Sequence, residues 1–208
     1  MTSFLERSSQ YHRDLFQKLN FSFKKGKRIL DIGCGEGVDS SIFSRHYKLE
    51  THASDLFRHK NFDKLKRIKF KTGSIFKLSY PNSFFDYVFL HDVLHHVDEP
   101  HQSKNRHTAA LKEAYKVVKN RGSLIIVEGN RYNPMFYPHM VLMLGHNHFT
   151  QSYFKHLILE LFPQAKFKFF EAHVYPHGWI WIFKVYEWLM EHMVPESFRA
   201  YNVAIITK

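Results

Sequence analysis

The stretch "RILDIGCGEG", residues 28–37, sets the narrowest limits on the fold this chain can adopt. A short apolar run holding one acid, Asp31, gives way to glycines at every second position, Gly33, Gly35 and Gly37. An apolar run of that length bounded by glycine has the pattern of a strand covered on both faces. The glycines permit a turn with positive φ and a close backbone approach that side chains forbid. A helix is expected from Val38 to His46, so the segment has the form of a strand, a glycine loop and a helix.

The same alternation continues along the chain. Strands are expected at 49–55, 68–73, 85–92, 123–129, 166–174 and 201–208. Helices are expected at 4–19, with Phe4, Tyr11, Leu15 and Leu19 on one face, at 108–122, and from a Thr150 cap to Phe162. Strands alternating with helices imply right-handed crossovers and a mostly parallel sheet covered on both faces. Its ligands bind at the carboxyl ends of the strands, where the glycines lie. The 208 residues suffice for one well-cored domain, and neither a repeat nor a low-complexity linker divides them.

The spacing of the glycines discriminates between cofactors. A dinucleotide fingerprint wants G-x-G-x-x-G, but its third glycine position is Val38; a P-loop wants Gly-Lys-Ser/Thr, and "GEGVDSS" has no lysine. Asp31 puts negative charge where a pyrophosphate would sit, which suits an ammonium or sulfonium group instead. Asp55, at the end of the second strand, is placed to accept hydrogen bonds from ribose hydroxyls. Together these residues describe an amino-acid nucleoside.

With these motifs the sequence resembles the class I S-adenosylmethionine-dependent methyltransferases, in particular the small-molecule, quinone-biosynthesis-like branch (methyltransferase type 11). "ILDIGCGEG" is similar to the family's first motif and "SDLF" to its ribose-binding acid. The segments 70–100 and 110–130 are similar to its third-to-fourth-strand block and its fifth-strand unit. The resemblance spans about residues 26–130. It implies a Rossmann-like α/β fold, a seven-stranded, mostly parallel sheet with helices on both faces and an antiparallel last strand. It also implies S-adenosylmethionine as cofactor, with Asp31, Gly33, Cys34 and Gly35 at the methionine part, Asp55 and Leu56 at the ribose and adenine, Ile75 against the ring, and His91 beside the cofactor. Ser74 stands where the family commonly has an acid that bonds the adenine amine, a departure that removes a charge-assisted hydrogen bond.

Beyond that block, "HDVLHHV" places His91, Asp92, His95 and His96 near the transferred methyl group. A histidine there suits a general base on a hydroxyl or amine, and the plainer role is capping and packing the next helix; no catalytic residue is assigned. His146 and His148 stand at i, i+2 with no carboxylate or cysteine cluster beside them in the chain, so no metal site is expected. Residues 131–150 and 175–200 are expected to serve as lid or interface segments, and residues 1–20 to supply an N-terminal helix.

Charge and composition bear on partners. A net charge of +11 makes nucleic acid thinkable. Against it, the basic run 58–71 suits a solvated face, and the fourth strand lacks an Asn/Asp-Pro-Pro-aromatic motif. Cys34, the single cysteine, lies in the glycine loop rather than at a nucleophile position, and it excludes an intramolecular disulfide. The segment "GWIWIFKVYEWLMEHMV" is too short and too charged to span a bilayer. As a helix it has a narrow polar stripe, Lys184, Glu187 and Glu191, and otherwise apolar sides, which suits cover over the active site, a homodimer contact or peripheral membrane contact. "MTSFLERSSQYHRD" lacks an apolar signal core, so a cytoplasmic protein is expected. The expected function is methyl transfer to a small, partly apolar molecule. The rivals are RNA modification and a catalytically idle binding subunit.

Overall fold

A computed structural model describes residues 9–99, 101–175 and 178–208. Strand β1 (Arg28–Ile32) pairs in parallel with β2 (Glu50–Asp55) on one side and β4 (Phe85–His91) on the other. β3 (Lys69–Thr72) extends one edge and β5 (Val118–Gly129) continues the other, both in parallel. β7 (Tyr201–Thr207) then inserts antiparallel between β5 and β6 (Lys166–Phe170), giving the order β3-β2-β1-β4-β5-β7-β6.

Alternation along the central strands sorts their side chains onto two apolar layers. Leu30, Ile32, Val88, Leu90, Leu124 and Ile126 face one layer, where they meet α3 (Lys104–Lys116) and α4 (Gln151–Leu161). Ile29, Phe89, Ile125, Val127 and Val203 face the other, against α1 (Gln10–Leu19) and α2 (Val38–Arg45). Part of the heavy phenylalanine content fills this second layer: Phe16 and Phe43 meet edge to face at 5.5 Å between centroids, and Phe43 and Phe89 at 5.0 Å.

The helix ends follow local chemistry. The Thr150 hydroxyl accepts from Tyr153 N at 3.2 Å, so α4 starts where its cap predicts. α1 is described from its Ser9 cap onward, and Phe4 lies outside the described residues. α3 differs from expectation. It begins after Ser103 rather than at Thr108, and it ends at Lys116 instead of continuing to Gly122. The buried, β-branched Val117 caps the helix, Val118 enters the sheet, and Gly122 lies within β5. A Cβ at Gly122 would stand 2.8 Å from the Asp86 carbonyl, so this glycine permits a close strand approach rather than a helix stop.

The last helix, α5 (Ile180–His192), is turned the opposite way from an ordinary amphipathic helix. Its polar stripe faces inward, onto α1. Lys18 Nζ donates to Glu191 Oε1 at 2.7 Å and to Glu187 Oε2 at 3.1 Å, and Lys184 Nζ donates to Asp14 Oδ2 at 2.7 Å. Tyr175 adds a hydroxyl bond to Glu187. Trp181, Val185, Trp188 and Met193 are left outside. Among the described residues no helix is long and apolar enough to cross a membrane.

Replacing Lys18 with Met removes the cation that Glu187 and Glu191 share and leaves Glu187 with Lys184 alone, at 3.3 Å. The expected loss is about 1–3 kcal/mol of stability. Amide exchange over 180–192 should accelerate more than over β4. Unchanged exchange would show that Met190 and its apolar neighbours, not the ion pairs, hold α5.

Candidate active site

The loop after β1 is shaped by two constraints. Gly33 has φ +67°, and a Cβ there would stand 2.5 Å from Val93 Cγ2, so side chains are excluded both by conformation and by space. Gly35 has φ +48° with open space where its Cβ would be. The loop is tied to β2, with Gly33 N donating to the Ser54 carbonyl at 2.7 Å and Gly35 N to Asp55 Oδ2 at 2.8 Å. The other Asp55 oxygen accepts from Leu56 N at 2.6 Å, which fixes the carboxylate at the strand end.

These ends of β1, β2, β3 and β4 border a cavity of about 440 Å³. Five of the nine residues expected at the cofactor line it, Gly33, Asp55, Leu56, Ser74 and Ile75, together with Asp92 and His96 of the histidine segment. Four do not. Asp31 is buried behind it and takes a hydrogen bond from Ser40 Oγ at 2.5 Å; burial, with Asp39 close by, pushes its carboxyl upward. Cys34 packs with Ala53, Phe62 and Ile68, and burial pushes its thiol up as well, so it is no ready nucleophile. Gly35 lies in the loop outside this lining.

His91 is the fourth, and it belongs to a different constellation. Its Nδ1 lies 2.7 Å from Asp39 Oδ2, in the first turn of α2, and its Nε2 lies 2.7 Å from the Tyr11 hydroxyl of α1. Tyr11 and Tyr201 hydroxyls are 2.6 Å apart, and Tyr201 donates to Asp92 Oδ2 at 3.4 Å. Burial alone would lower the His91 pKa, but the Asp39 carboxylate, with Asp92 and Asp31 farther off, raises it to about 9. His91 is therefore an imidazolium at neutral pH. It donates to Asp39 and to Tyr11, whose own proton passes the polarity on to Tyr201 and Asp92. Burial first, then Tyr201 and Asp92 for Tyr11 and Asp92 for Tyr201, hold both tyrosines in the phenol form.

Asp92 sits at the centre of the site. Its backbone is left-handed, with φ +52°, and Oδ1 accepts from Gly129 N at 2.8 Å. It lines the first cavity and also a second of about 400 Å³, bordered by Tyr11, Phe136, Met140, His148, His173 and Tyr201. Residues of the segment 131–150 thus line this second cavity, whereas no residue of α5 lines either one. Asp39 and Tyr201 were not singled out in the sequence. The only local signals were an acid in the first turn of a helix and an aromatic residue opening the last strand.

A family model described as a methyltransferase domain matches residues 4–177. An uncharacterized methyltransferase of Schizosaccharomyces pombe is 31% identical over 130 residues, which is 55% of this chain and 44% of that protein. Phosphoethanolamine N-methyltransferase 2 of Caenorhabditis elegans is 27% identical over 104 residues, 46% of this chain and 24% of that one. The chain spans less than half the length of the curated relatives it matches. Among solved structures, a SAM-dependent methyltransferase from Archaeoglobus fulgidus is similar with a TM-score of 0.67 and 17% identity, covering 97% of this chain and 96% of that one. The Haemonchus contortus phosphoethanolamine N-methyltransferase 2, in complex with S-adenosylhomocysteine, has a TM-score of 0.64 at 15% identity, covering 96% and 52%. The chain belongs to the methyltransferase-domain family, as a class I, S-adenosylmethionine-dependent member.

Exchanging His91 for Gln tests the buried pair. The folded pKa of His91 is raised from about 6.5 to about 9, so its contribution is fully present below about pH 6.5 and is lost as pH rises through 9. Burial pushes Asp39 up, but His91 outweighs it and holds the carboxyl below its usual range, so its part is lost as pH falls through that depressed value. Urea unfolding of the variant against the parent should show a deficit of about 3–5 kcal/mol at pH 6 that shrinks by pH 9.5. A deficit independent of pH would place the charge elsewhere.

Proposed function

We propose that the chain transfers the methyl group of S-adenosylmethionine to a small, partly apolar acceptor that occupies the second cavity. The observation that carries this reading is that two cavities of small-molecule size meet at Asp92, one bordered by the glycine loop and Asp55, the other by methionine and aromatic side chains. The residues suit the cofactor. Asp55 would hold the ribose hydroxyls, Leu56 and Ile75 the faces of the adenine ring, and Ser74 its edge. Gly33 and Gly35, with the buried Asp31 and Cys34 behind them, would shape the methionine end, and His91 would set the potential beside it. When bound, the cofactor supplies an electrophilic methyl group on a sulfonium sulfur.

The chain's own work is positioning and drying. Phe136, Met140 and Tyr201 exclude water from the acceptor side, and the bond from Gly129 N holds the Asp92 carboxylate at the junction. With His91 charged and its hydrogen-bond chain running through Tyr11 and Tyr201, His91 is a donor that steadies Asp92 rather than a base that takes the acceptor's proton. RNA modification rests on the net charge of +11 alone. Several of the basic side chains are already paired, Lys69 with Glu50 and Arg58 with Asp63.

At about 100 times its Kd, S-adenosylmethionine or its demethylated product should raise the melting point by about 5–10 °C. Gly35→Val should abolish that shift while the sheet stays folded, and Asp55→Ala should weaken binding by about 1–3 kcal/mol. No shift with either compound in the parent protein would overturn the reading of the cofactor. Isotope-labelled cofactor incubated with fractionated cell extract tests the acceptor: label is expected in the small-molecule fraction, and label in RNA would overturn the small-molecule reading.

A further inference from the structure

Four histidines from two separate stretches of the chain converge beyond Asp92. The rings of His95 and His148 have centroids 4.3 Å apart, and His96 and His146 lie next to them, with His95 and His96 at 4.0 Å. The sequence offers no carboxylate near His146 and His148, and the fold brings carboxylates in from elsewhere. Glu128, fully buried at the end of β5, lies 2.7 Å from His95 Nδ1, which leaves Nε2 as that ring's remaining nitrogen. Glu99 stands behind the other two, at 2.8 Å from His96 Nδ1 and 3.2 Å from His146 Nδ1.

His148 is the telling member. It is 95% buried, only 5% exposed, and neither ring nitrogen has a hydrogen-bond partner. An imidazole so enclosed and so unsatisfied forfeits the full desolvation cost of two polar atoms unless something meets it. β5 makes room for the ring: a Cβ at Gly129 would stand 2.7 Å from His148 Nδ1. The same residue's N–H fixes Asp92 Oδ1, so one glycine places both groups. Donor atoms of Asp92, His95 and His148 all lie within 4.8 Å of one another.

We infer that Asp92, His95 and His148 form a binding site for one divalent first-row transition-metal ion at the junction of the two cavities. Two imidazoles and one carboxylate on a single side are a donor set suited to Fe(II), Zn(II) and their neighbours, and it leaves coordination positions open. Donors of such ions sit about 2.0–2.2 Å from the metal, so binding draws the three groups inward. Glu128 behind His95 is the outer carboxylate that orients a ligating histidine. The site pins the segment 131–150, through His148, to the strand ends that carry the rest of the pocket. Asp92 and His148 border the cavity assigned above to the acceptor, and use of the ion there, unlike the site itself, rests on the methyl-transfer reading. An acceptor with an oxygen or nitrogen lone pair is the class such an ion would hold.

Metal binding is tested on the full chain without any methyl donor, so its outcome is independent of the cofactor experiment. The chelator-stripped protein is titrated with Co²⁺, followed by its visible absorption, and then with Zn²⁺ in competition. One equivalent of Co²⁺ per chain, displaced by Zn²⁺, is expected. Asp92→Asn and His148→Gln should each weaken binding about 100-fold or more, and Glu128→Gln about 10–100-fold, while His96→Ala and His146→Ala bind as the parent does. Asp92→Asn keeps an oxygen for the Gly129 N–H, so it remains decisive even where His148→Gln fails to fold, which circular dichroism reads. Parent-like affinity in folded Asp92→Asn, binding of several equivalents through exposed histidines, or a loss confined to His96→Ala and His146→Ala would overturn the proposal.

Discussion

The site depends on the contact between Gly33 and Val93. The turn after β1 presses so closely on the residue that follows Asp92 that a single added carbon would meet Val93 Cγ2 at 2.5 Å. That contact brings the ends of β1 and β4 to one wall, and both strands then present polar groups to the same space: the loop that Asp55 ties on one side, Asp92 on the other. A side chain at Gly33 would separate the two walls. Interiors packed at near-crystalline density have little slack to absorb such a shift, so the geometry of both cavities follows from one close approach.

Around that wall, charge is organised by burial. Asp31, Asp39 and Asp92 lie close to one another, and His91 is the cation set among them, so its raised pKa is a consequence of their crowding. Asp39 and Asp92 are linked by an imidazolium and two phenols into a directed hydrogen-bond chain, whereas Asp31 takes its hydrogen bond from Ser40. On the far side of Asp92 the arrangement is reversed: enclosed His148 lies beside a carboxylate-backed His95, and donor atoms of the three residues lie within 4.8 Å of one another. The two sides share Asp92, whose left-handed backbone turns one carboxylate toward both cavities.

Periodicity located most elements because burial of apolar side chains is what the period records. It misplaced the start and end of α3, where Thr108 and Gly122 are plausible punctuation that a preceding Ser103 and a sheet-bound Val118 override. It recognised the narrow polar stripe of α5 but not the direction that stripe faces. A pattern of apolar and polar sides carries no information on which side is inward, and here the ion pairs with Lys18 and Asp14 decide it. In the same way, four histidines scattered over two segments looked unsupported in the chain because Glu128 and Glu99 reach them only through the fold.

By itself the sequence determined the strand, glycine loop and helix that open the domain and the order of alternating elements, while the methyl donor is what the resemblance of its motifs to a known family implies. Those are local properties: spacing, backbone permissiveness and the charge beside a turn. Tertiary structure alone decided that His91 points to Tyr11 and Asp39 rather than into the first cavity, that α5 buries its charges, and that Asp92 is shared by two cavities. Each of those depends on contacts between residues tens or hundreds of positions apart, and the pairing of strands in a sheet, not the neighbourhood in the chain, sets which of them meet.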